Sequence, residues 1–555
     1  MSHRHTDLLE EAITACRTRE HFSPFPDRPG KDDASLAAID EARAAYEGML
    51  GGSFPLDQPS AGELPGDEVS PYTGEALDIR YPAPDIDAMF DASRRARAIW
   101  SRVEPERRVD LCLEMVHRLH DRWYELAHAN QHTTGQSFSM SCIGSGTNAL
   151  DRGIEAVAYA AEAMRRVPTT GHWEKDFGRT TVSLDKRYRI LPRGTAVVIT
   201  CASFPTWNAY PALFANLATG NPVVIKPHPT SVLTMAMATQ VAQQVLREEG
   251  LPTELVQLAV DTTDAPIAKD LIAHPDCRIV DFTGSPAFGG WIEANAHPAI
   301  AFTETAGVNT VVLAGTEDLQ ATAAAIATSL GLFTAQMCTS VQNIYLPGDG
   351  VDTPDGKVSA EDAIASIVAA VDDIAANPRR AAGVMGAVQS PHTVGLINNL
   401  EAEVTGRGRV ARPAGTYEHP EFPEARTCTP SIVAVDPSAR ELFGEERFGP
   451  ISFAITCADA DDALDQAIRD VRASGAIASH VYATDRDYLD RAADAYLDAG
   501  ASLTMNVTGP MPLNFAAAYS DYHVTGLSPA GNACLTDEAF IAGRFRVAQV
   551  REPSA

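Results

Sequence analysis

The 555-residue sequence lacks the features that mark membrane, secreted and nucleic-acid-binding proteins. No run approaches the roughly 18 consecutive apolar residues of a membrane-spanning helix, and the opening MSHRHTDLLEEAITAC has no apolar signal core. Positive charge is scarce, because 44 Lys and Arg stand against 73 Asp and Glu. The formal net charge of −29 repels nucleic acid and anionic membranes. The sequence therefore predicts a cytoplasmic protein that binds neither.

The nine cysteines lack the spacing of a disulfide framework or a zinc site. They are scattered as single residues, no CxxC pair occurs, and their number is odd. This pattern is typical of a reducing compartment and predicts no metal site. With 45% hydrophobic and 21% charged residues, the composition is that of a globular enzyme. A chain of this length predicts two or more closely joined domains.

Breaker-rich stretches and changes of periodicity divide the chain. Residues 1–55 have the pattern of two helices separated by HFSPFPDRPGK. From about residue 178, short apolar strands alternate with Ala-rich helices, which is typical of a doubly wound parallel sheet. A second alternating block runs from 309 to about 505. We therefore predict an α/β fold with a domain boundary close to residue 304.

Two segments of strand character have no evident partner in the sequence. One lies within 178–191 and the other is the tail FRVAQVRE at 545–552. Strands without a partner in their own domain are candidates for pairing with the edge of another subunit. We therefore expect an oligomerisation arm built from 178–191 and 535–555, and a homodimer or a dimer of dimers.

A glycine-containing turn joins the apolar strand RIVDF to the helical GWIEANAH. It contains Gly284, Ser285 and Gly289. Backbone N–H groups and the positive end of a helix can approach a phosphate at such a turn. Taken alone, the turn suits a purely structural role equally well. A second Gly-rich match, GSGTNA at 144–149, lies in helical surroundings without a preceding strand, so it does not predict dinucleotide binding.

The motifs RGTAVVITCASFP, VVIKP, FTGSPAFG, FTETAG, AQMCTSVQ and GEERFGP, in this order, resemble the aldehyde dehydrogenase superfamily. The resemblance runs from about residue 70 to 505. Glu304 and Cys338 are separated by 34 residues and Ser203 and Lys226 by 23, as are the corresponding functional positions of the family. The resemblance implies an aldehyde dehydrogenase-like α/β fold with a Rossmann-type cofactor domain, an α/β catalytic domain and a small arm. The expected segments are an N-terminal helical extension (1–55), the dinucleotide-binding domain (56–177 and 192–303), the catalytic domain (304–505) and the arm (178–191 and 535–555).

The resemblance places the chemistry on two residues. Cys338 holds the position of the nucleophile, and a thiolate suits it because oxidation by hydride transfer first needs a tetrahedral adduct on the aldehyde carbon. Glu304 holds the position of the general base that activates water to release the thioester. Here Thr305-Ala306-Gly307-Val308 follows Glu304, where the family typically has Leu-Gly-Gly-Lys.

The resemblance also implies an NADP or NAD site. Glu446, with Phe448 beside it, matches the carboxylate that holds the nicotinamide ribose, and Lys226 matches the lysine that reaches the adenosine ribose. Pro229 stands where NAD-preferring members usually have a glutamate, with His228 before it. Losing a carboxylate removes repulsion against a 2′-phosphate, so we expect NADP slightly ahead of NAD.

The stretch CASFPTWN has no asparagine at the family's oxyanion position. The spacing places Ser203 there, so its hydroxyl, with the Cys338 backbone N–H, is the predicted oxyanion donor. Asn208, five residues on, is the alternative. Cys201 is expected to contact core or backbone rather than substrate.

The N-terminal extension and the departures ASFPTWN, KPHP and ETAGVN resemble the phenylacetate-degradation branch of the superfamily. That branch implies a semialdehyde carried on coenzyme A, formed by opening an aromatic-derived ring. Three alternatives remain: a general dehydrogenase for small free aldehydes, a thioesterase-like or reductive enzyme using the same cysteine, and a non-catalytic pathway component.

Overall fold

The computed structural model describes residues 4–305, 307–515, 523, 525–534 and 537–554. Ala306 and the ends of the predicted extension and arm (1–3, 535–536 and 555) lie outside the described residues. The α-helices of the described chain are α1 (Thr6–Thr18), α2 (Asp33–Glu47), α3 (Ile86–Trp100), α4 (Pro105–Asp121), α5 (Trp123–Thr134), α6 (Phe138–Cys142), α7 (Asn148–Arg165), α8 (Pro205–Thr219), α9 (Leu233–Glu248), α10 (Ala268–Ala273), α11 (Pro286–Asn295), α12 (Leu319–Gly331), α13 (Ala360–Ala375), α14 (Pro378–Met385), α15 (Pro391–Val404), α16 (Arg440–Phe443), α17 (Ala460–Ser474), α18 (Arg486–Asp498) and α19 (Glu538–Ala542).

The strands of the same residues are β1 (Glu63–Pro65), β2 (Arg80–Pro82), β3 (Thr170–Asp176), β4 (Thr181–Pro192), β5 (Thr195–Ile199), β6 (Val223–Lys226), β7 (Val256–Leu258), β8 (Cys277–Gly284), β9 (Ile300–Thr305), β10 (Thr310–Leu313), β11 (Asn343–Pro347), β12 (Val351–Thr353), β13 (Gly356–Val358), β14 (Gly408–Arg412), β15 (Ser431–Val435), β16 (Ile451–Cys457), β17 (Ser479–Tyr482), β18 (Leu503–Met505) and β19 (Phe545–Pro553). Among the described helices, none has the length and apolarity needed to cross a bilayer.

Two parallel sheets form the centre of the chain. The first has five strands in the order β7-β6-β5-β8-β9, and every neighbouring pair is parallel. The second has seven strands in the order β14-β15-β16-β11-β10-β17-β18, parallel except for the edge pair β14–β15. Strands such as TAVVI and VVIK are buried on both faces, as expected where helices cover a parallel sheet. The predicted α/β fold is confirmed.

A short connection separates the two sheets. β9 ends the first sheet at Thr305, and β10 begins the second at Thr310. The chain therefore passes from one sheet to the other between these two residues, and the domain boundary near residue 304 stays a prediction.

The two strands that were expected to lack a partner pair with each other. β19 runs antiparallel to β4 from Phe545 opposite Pro192 to Pro553 opposite Leu184, and β3 pairs with the other edge of β4. The expectation that they are isolated is wrong, because residues far apart in sequence meet only when the C-terminus returns to the first half of the chain. This three-stranded sheet begins at Thr170, earlier than the predicted arm. A dimer or dimer of dimers stays a prediction.

The N-terminal extension forms the two predicted helices. The Asp32 side chain caps α2 by accepting from the Ser35 N–H at 2.9 Å, and α1 packs on α7 through buried Ala12 and Ile13. The loop between them is tied to the start of α7, where the Thr147 hydroxyl donates to the Pro26 carbonyl at 2.7 Å. The extension is thus part of the common core.

A buried ion pair holds the C-terminal tail on the first sheet. The Arg544 guanidinium donates to both Asp281 carboxylate oxygens, at 2.9 and 2.6 Å, and to the Asn216 side-chain oxygen at 2.9 Å. Its cation also lies over the rings of Phe302 and Phe540, 4.3 and 4.0 Å from their centroids. Because Asp281 lies in β8 and Arg544 directly precedes β19, this contact fixes where the tail strand begins.

We predict that Arg544→Met destabilises the protein by about 3–5 kcal/mol, because it leaves the Asp281 carboxylate buried without its counter-ion. Chemical denaturation at neutral pH measures the loss. The matched control is Arg546→Met in β19, whose side chain is exposed and whose removal should cost less than about 0.5 kcal/mol. Equal effects of the two substitutions would contradict a special role for the buried pair.

Candidate active site

Cys338 lies in a loop of unusual backbone shape. Phe333, Thr334 and Ala335 precede it with φ values of 50°, 52° and 50°, a left-handed conformation that non-glycine residues rarely adopt. These residues are buried, and the Thr334 hydroxyl donates to the Met385 carbonyl at 2.7 Å. Tertiary packing therefore imposes the turn that delivers the thiol, which is itself partly exposed.

Asn309 fixes the loop after this turn. Its side-chain N–H group donates to the carbonyls of Cys338 and Ser340, at 2.7 and 2.9 Å. Its side-chain oxygen accepts from the backbone N–H groups of Ile477 and Ala478, both at 2.9 Å. Sequence reasoning missed this residue, because an asparagine at the start of an apolar strand gives no sign of such distant partners.

The structure brings Glu304 and Cys338 together, as the sequence predicted, and adds a histidine between them. His523 Nε2 lies 3.0 Å from Glu304 Oε1 and 3.8 Å from Cys338 Sγ. Glu304 and His523 are each about 1% exposed, and no local sequence pattern indicates a carboxylate so deeply buried. Burial, together with the Glu304 carboxylate, raises the pKa of Cys338 well above its usual range. The resting thiol is therefore neutral and needs a base.

His523 reaches the site because the residues that follow it, around 530–532, run beside β9. Thr305 N–H donates to the Ala530 carbonyl at 2.6 Å, and Asn532 N–H donates to the Thr303 carbonyl at 3.1 Å. The Asn532 side-chain oxygen accepts from Thr303 N–H at 2.8 Å. His523 lies outside every predicted domain segment, and the surrounding SDYHVTG has no periodicity that could have indicated it.

A narrow apolar cavity of about 20 Å³ leads to the thiol. Among the described residues, its wall consists of Phe204, Trp207, Met337, Cys338, Thr339, Asn514 and His523. This volume accommodates about one water molecule. Phe204, Trp207 and Met337 make most of this wall apolar.

Ser203 and Asn208 flank the start of α8. Ser203 is 9% exposed, and its carbonyl accepts from the Gln136 side chain at 2.7 Å. The Asn208 amide donates to Cys201 Sγ at 3.3 Å and to the Phe204 carbonyl at 3.5 Å. Asn208 is thus engaged by Cys201. The Ser203 side chain also bonds Cys201, so Ser203 as the oxyanion donor and Asn208 as its alternative both stay predictions.

Lys226 ends β6 and forms a buried ion pair that the sequence did not predict. Its Nζ lies 2.7 Å from Asp261 Oδ1, with side chains 7% and 0% exposed. Burial lowers the pKa of Lys226, and Asp261 opposes that shift. Burial and the Lys226 charge lower the pKa of His228 to about 4, so His228 is neutral at pH 7 and bonds Thr230 Oγ1 at 2.8 Å.

The predicted phosphate turn has a structural reason for both glycines. The Ser285 side chain caps α11, accepting from Phe288 N–H. A Cβ atom at Gly284 would lie 2.6 Å from the Phe282 ring, and one at Gly289 would lie 2.5 Å from Thr305 Cγ2. The glycines therefore let the turn and α11 close onto the first sheet, and their contact with a cofactor stays a prediction.

Glu446 lies in the loop before β16, with Phe448 partly exposed beside it. Gln342 positions this loop: its side-chain oxygen accepts from Arg447 N–H at 2.6 Å and its N–H group donates to the Glu445 carbonyl at 3.1 Å. Burial raises the pKa of Glu446 to about 8. Because Gln342 follows the Cys338 loop, the same short segment positions both the thiol and this carboxyl group.

The arrangement fits a dinucleotide. Thr200 N–H donates to the Lys226 carbonyl at 3.1 Å, which places this residue beside Lys226 at the carboxyl ends of β5 and β6. Its buried hydroxyl has no hydrogen-bond partner within the described part of the chain. The carboxyl ends of parallel strands are where nucleotides bind in open α/β sheets. Lys226, Asp261 and Glu446 could hold the two ribose groups.

Comparisons with known proteins agree with this geometry. The sequence profile of the Aldehyde dehydrogenase family matches residues 61–514. The crystal structure of an NAD-dependent aldehyde dehydrogenase from Burkholderia multivorans superposes with a TM-score of 0.96 at 42% identity, over 100% of this chain and 98% of that one. N-succinylglutamate 5-semialdehyde dehydrogenase of Burkholderia lata is 27% identical over 414 residues, 73% of this chain and 78% of the relative. Malonate-semialdehyde dehydrogenase 1 of Geobacillus thermodenitrificans is 24% identical over 477 residues, 82% of this chain and 91% of the relative.

The elevated pKa of Glu446 predicts pH-dependent cofactor binding. In its predicted role at the nicotinamide ribose, Glu446 accepts from both hydroxyls only when it is ionised. NAD⁺ affinity should therefore rise up to roughly tenfold per pH unit below pH 8 and level off above it. Calorimetric titration across this range measures the slope. Glu446→Gln should flatten it, whereas Glu445→Gln at the exposed neighbour should preserve it. An unchanged slope in Glu446→Gln would remove this carboxyl group from the site.

Proposed function

The chain belongs to the aldehyde dehydrogenase family, and we propose that it oxidises a semialdehyde to a carboxylic acid through a cysteine-bound thioester. The observation that supports this proposal is that His523 contacts both the Cys338 thiol and the buried Glu304 carboxylate, beside a narrow apolar cavity. A thiol gives the covalent adduct, and a carboxylate beside it can activate water.

Each residue has a separate part in the proposed reaction. Cys338 Sγ bonds to the aldehyde carbon and forms a thiohemiacetal. When bound, the nicotinamide supplies the hydride acceptor. Glu304 then takes a proton from water, hydroxide adds to the thioester carbon, and the C–S bond breaks to release the acid.

We assign the Ser203 hydroxyl and the Cys338 backbone N–H as the donors that bind the oxyanion of the adduct. Asn208 is the alternative candidate, and its amide donates to Cys201 Sγ and to the Phe204 carbonyl. Losing one oxyanion donor typically costs about 3 kcal/mol of transition-state stabilisation.

The cofactor is NAD or NADP, and we favour NAD. The expectation of NADP rested on the missing glutamate at position 229, but Asp261 supplies a carboxylate 2.7 Å from the Lys226 ammonium group. A negative charge there repels a 2′-phosphate on the adenosine ribose. The similar structure from Burkholderia multivorans is named as NAD-dependent, which supports the same choice.

For the substrate we propose the CoA-linked semialdehyde of aromatic degradation. The sequence departures that resemble the phenylacetate branch support it, and the apolar lining by Phe204, Trp207 and Met337 suits a carbon chain next to the aldehyde. The second candidate is a free semialdehyde that also carries an acid group, because two relatives are named for N-succinylglutamate 5-semialdehyde and malonate semialdehyde.

A panel of free and CoA-linked semialdehydes with NAD⁺, followed by the absorbance of reduced cofactor, tests this proposal. We expect turnover of the CoA-linked compounds to exceed that of simple aldehydes by at least about tenfold in kcat/KM. Equal values would contradict the CoA-linked substrate, and preference for the free semialdehydes would favour the second candidate.

Two variants separate the chemical steps in the same assay. Cys338→Ala should abolish turnover, and Cys201→Ala is the matched control that should retain it. Glu304→Gln should give a burst of about one reduced cofactor per subunit and then stop, because the thioester forms but is not hydrolysed. Steady turnover by Cys338→Ala would refute covalent catalysis.

Asp261→Asn should shift the ratio of NADP⁺ to NAD⁺ affinity at least about tenfold towards NADP⁺, because it removes the charge that repels the 2′-phosphate. Fluorescence titration of the two cofactors measures both affinities without turnover. Asp264→Asn, exposed in the same loop, is the control and should leave the ratio unchanged. The same ratio in both variants would remove Asp261 from cofactor selection.

A further inference from the structure

We propose that His523 is a catalytic residue that accepts the proton of the Cys338 thiol and exchanges protons with Glu304. The inference deepens the proposed function, since it concerns the same thiol and the same general base. His523 is then a third proton-carrying group beside Cys338 and Glu304, and no sequence motif indicated it.

One ring nitrogen faces both groups. Nε2 lies 3.8 Å from Cys338 Sγ, within reach of a thiol hydrogen bond, and 3.0 Å from Glu304 Oε1. The sulfur of Cys338, a ring nitrogen of His523 and a carboxylate oxygen of Glu304 all lie within 4.8 Å of one another. The imidazole packs edge-on against Trp207, with ring centroids 5.7 Å apart and an interplanar angle of 67°. The ring is therefore held where a proton could pass between the sulfur and the carboxylate oxygen.

The charges favour transfer to His523 over direct transfer to Glu304. A thiolate directly beside the Glu304 carboxylate would place two negative charges together in a buried site. An imidazolium between them makes a favourable contact with each anion. The net charge of the three groups is the same before and after the transfer, so no uncompensated charge is buried.

The transfer requires the proton of neutral His523 to lie on Nδ1. Nδ1 has no hydrogen-bond partner among the residues the structure describes. In the other tautomer Nε2 donates its proton to Glu304 Oε1 at 3.0 Å, so a shift of the ring proton to Nδ1 precedes the transfer. Nε2 is then the basic nitrogen, and its lone pair is available to the thiol.

The proton and electron pairs balance through the cycle. The S–H bond of Cys338 breaks, its electron pair stays on sulfur, and an N–H bond forms at His523 Nε2. That proton leaves to solvent by way of Glu304 after the sulfur has bonded to the aldehyde carbon. In hydrolysis, the proton that Glu304 takes from water passes to His523 and returns to the departing sulfur, which restores the thiol.

Alkylation of the thiol by iodoacetamide, without aldehyde or cofactor, tests this inference. Mass spectrometry reports the rate at Cys338 as a function of pH. The wild-type thiol should react readily at pH 7. His523→Gln and His523→Phe should each react at least about tenfold more slowly there and recover only at higher pH.

The two substitutions distinguish proton transfer from positioning. A glutamine amide can still donate to Glu304 but cannot carry a proton, whereas phenylalanine can do neither. If His523→Gln keeps the wild-type pH profile, or if the wild-type thiol is inert at pH 7, the inference is wrong. Labelling at Cys201 and the thermal unfolding temperature control for folding. Because the readout needs no oxidation, failure of the proposed function would be seen separately, as lack of turnover by a reactive thiol.

Discussion

The side-chain amide of Asn309 is the contact on which the catalytic geometry depends. Four hydrogen bonds of 2.7 to 2.9 Å join it to the carbonyls of Cys338 and Ser340 and to the N–H groups of Ile477 and Ala478. The residue is buried, so water cannot reach these polar groups. Each of the four bonds therefore satisfies a group that would otherwise be buried without a partner. Through it, the Cys338 loop is held against the residues that directly precede β17.

Burial sets the electrostatics around this framework. It raises the pKa of Cys338 and of Glu446 and lowers that of Lys226, in each case against the charged form. The chain compensates where a charge is needed, by placing Asp261 beside Lys226 and His523 beside the thiol. Because such pairs are stronger away from water, a few close contacts can control the protonation of the whole site.

Local patterns predicted the elements well. The helices of the extension, the parallel sheets and the strand-to-helix turn before α11 all follow from apolar periodicity, caps and glycine placement, which are properties of short segments. The partner of β19 did not follow, because pairing with β4 joins segments more than 300 residues apart and no local pattern encodes that return. His523 and Asp261 were missed for the same reason, since each is identified only by the atom it faces.

The sequence by itself determined the α/β fold and the family. It also indicated that Cys338 and Glu304 belong to one site, since residue types at fixed spacings on predicted elements carry that information. The tertiary structure decided which groups surround them. It places His523 between the thiol and the carboxylate, and the Asn208 amide against Cys201. It also places the Asp261 carboxylate beside Lys226, although position 229 has no glutamate. Spacing along the chain fixes which residues a strand or turn presents. Only packing brings distant loops to within hydrogen-bond distance, and at that distance protonation and specificity are decided.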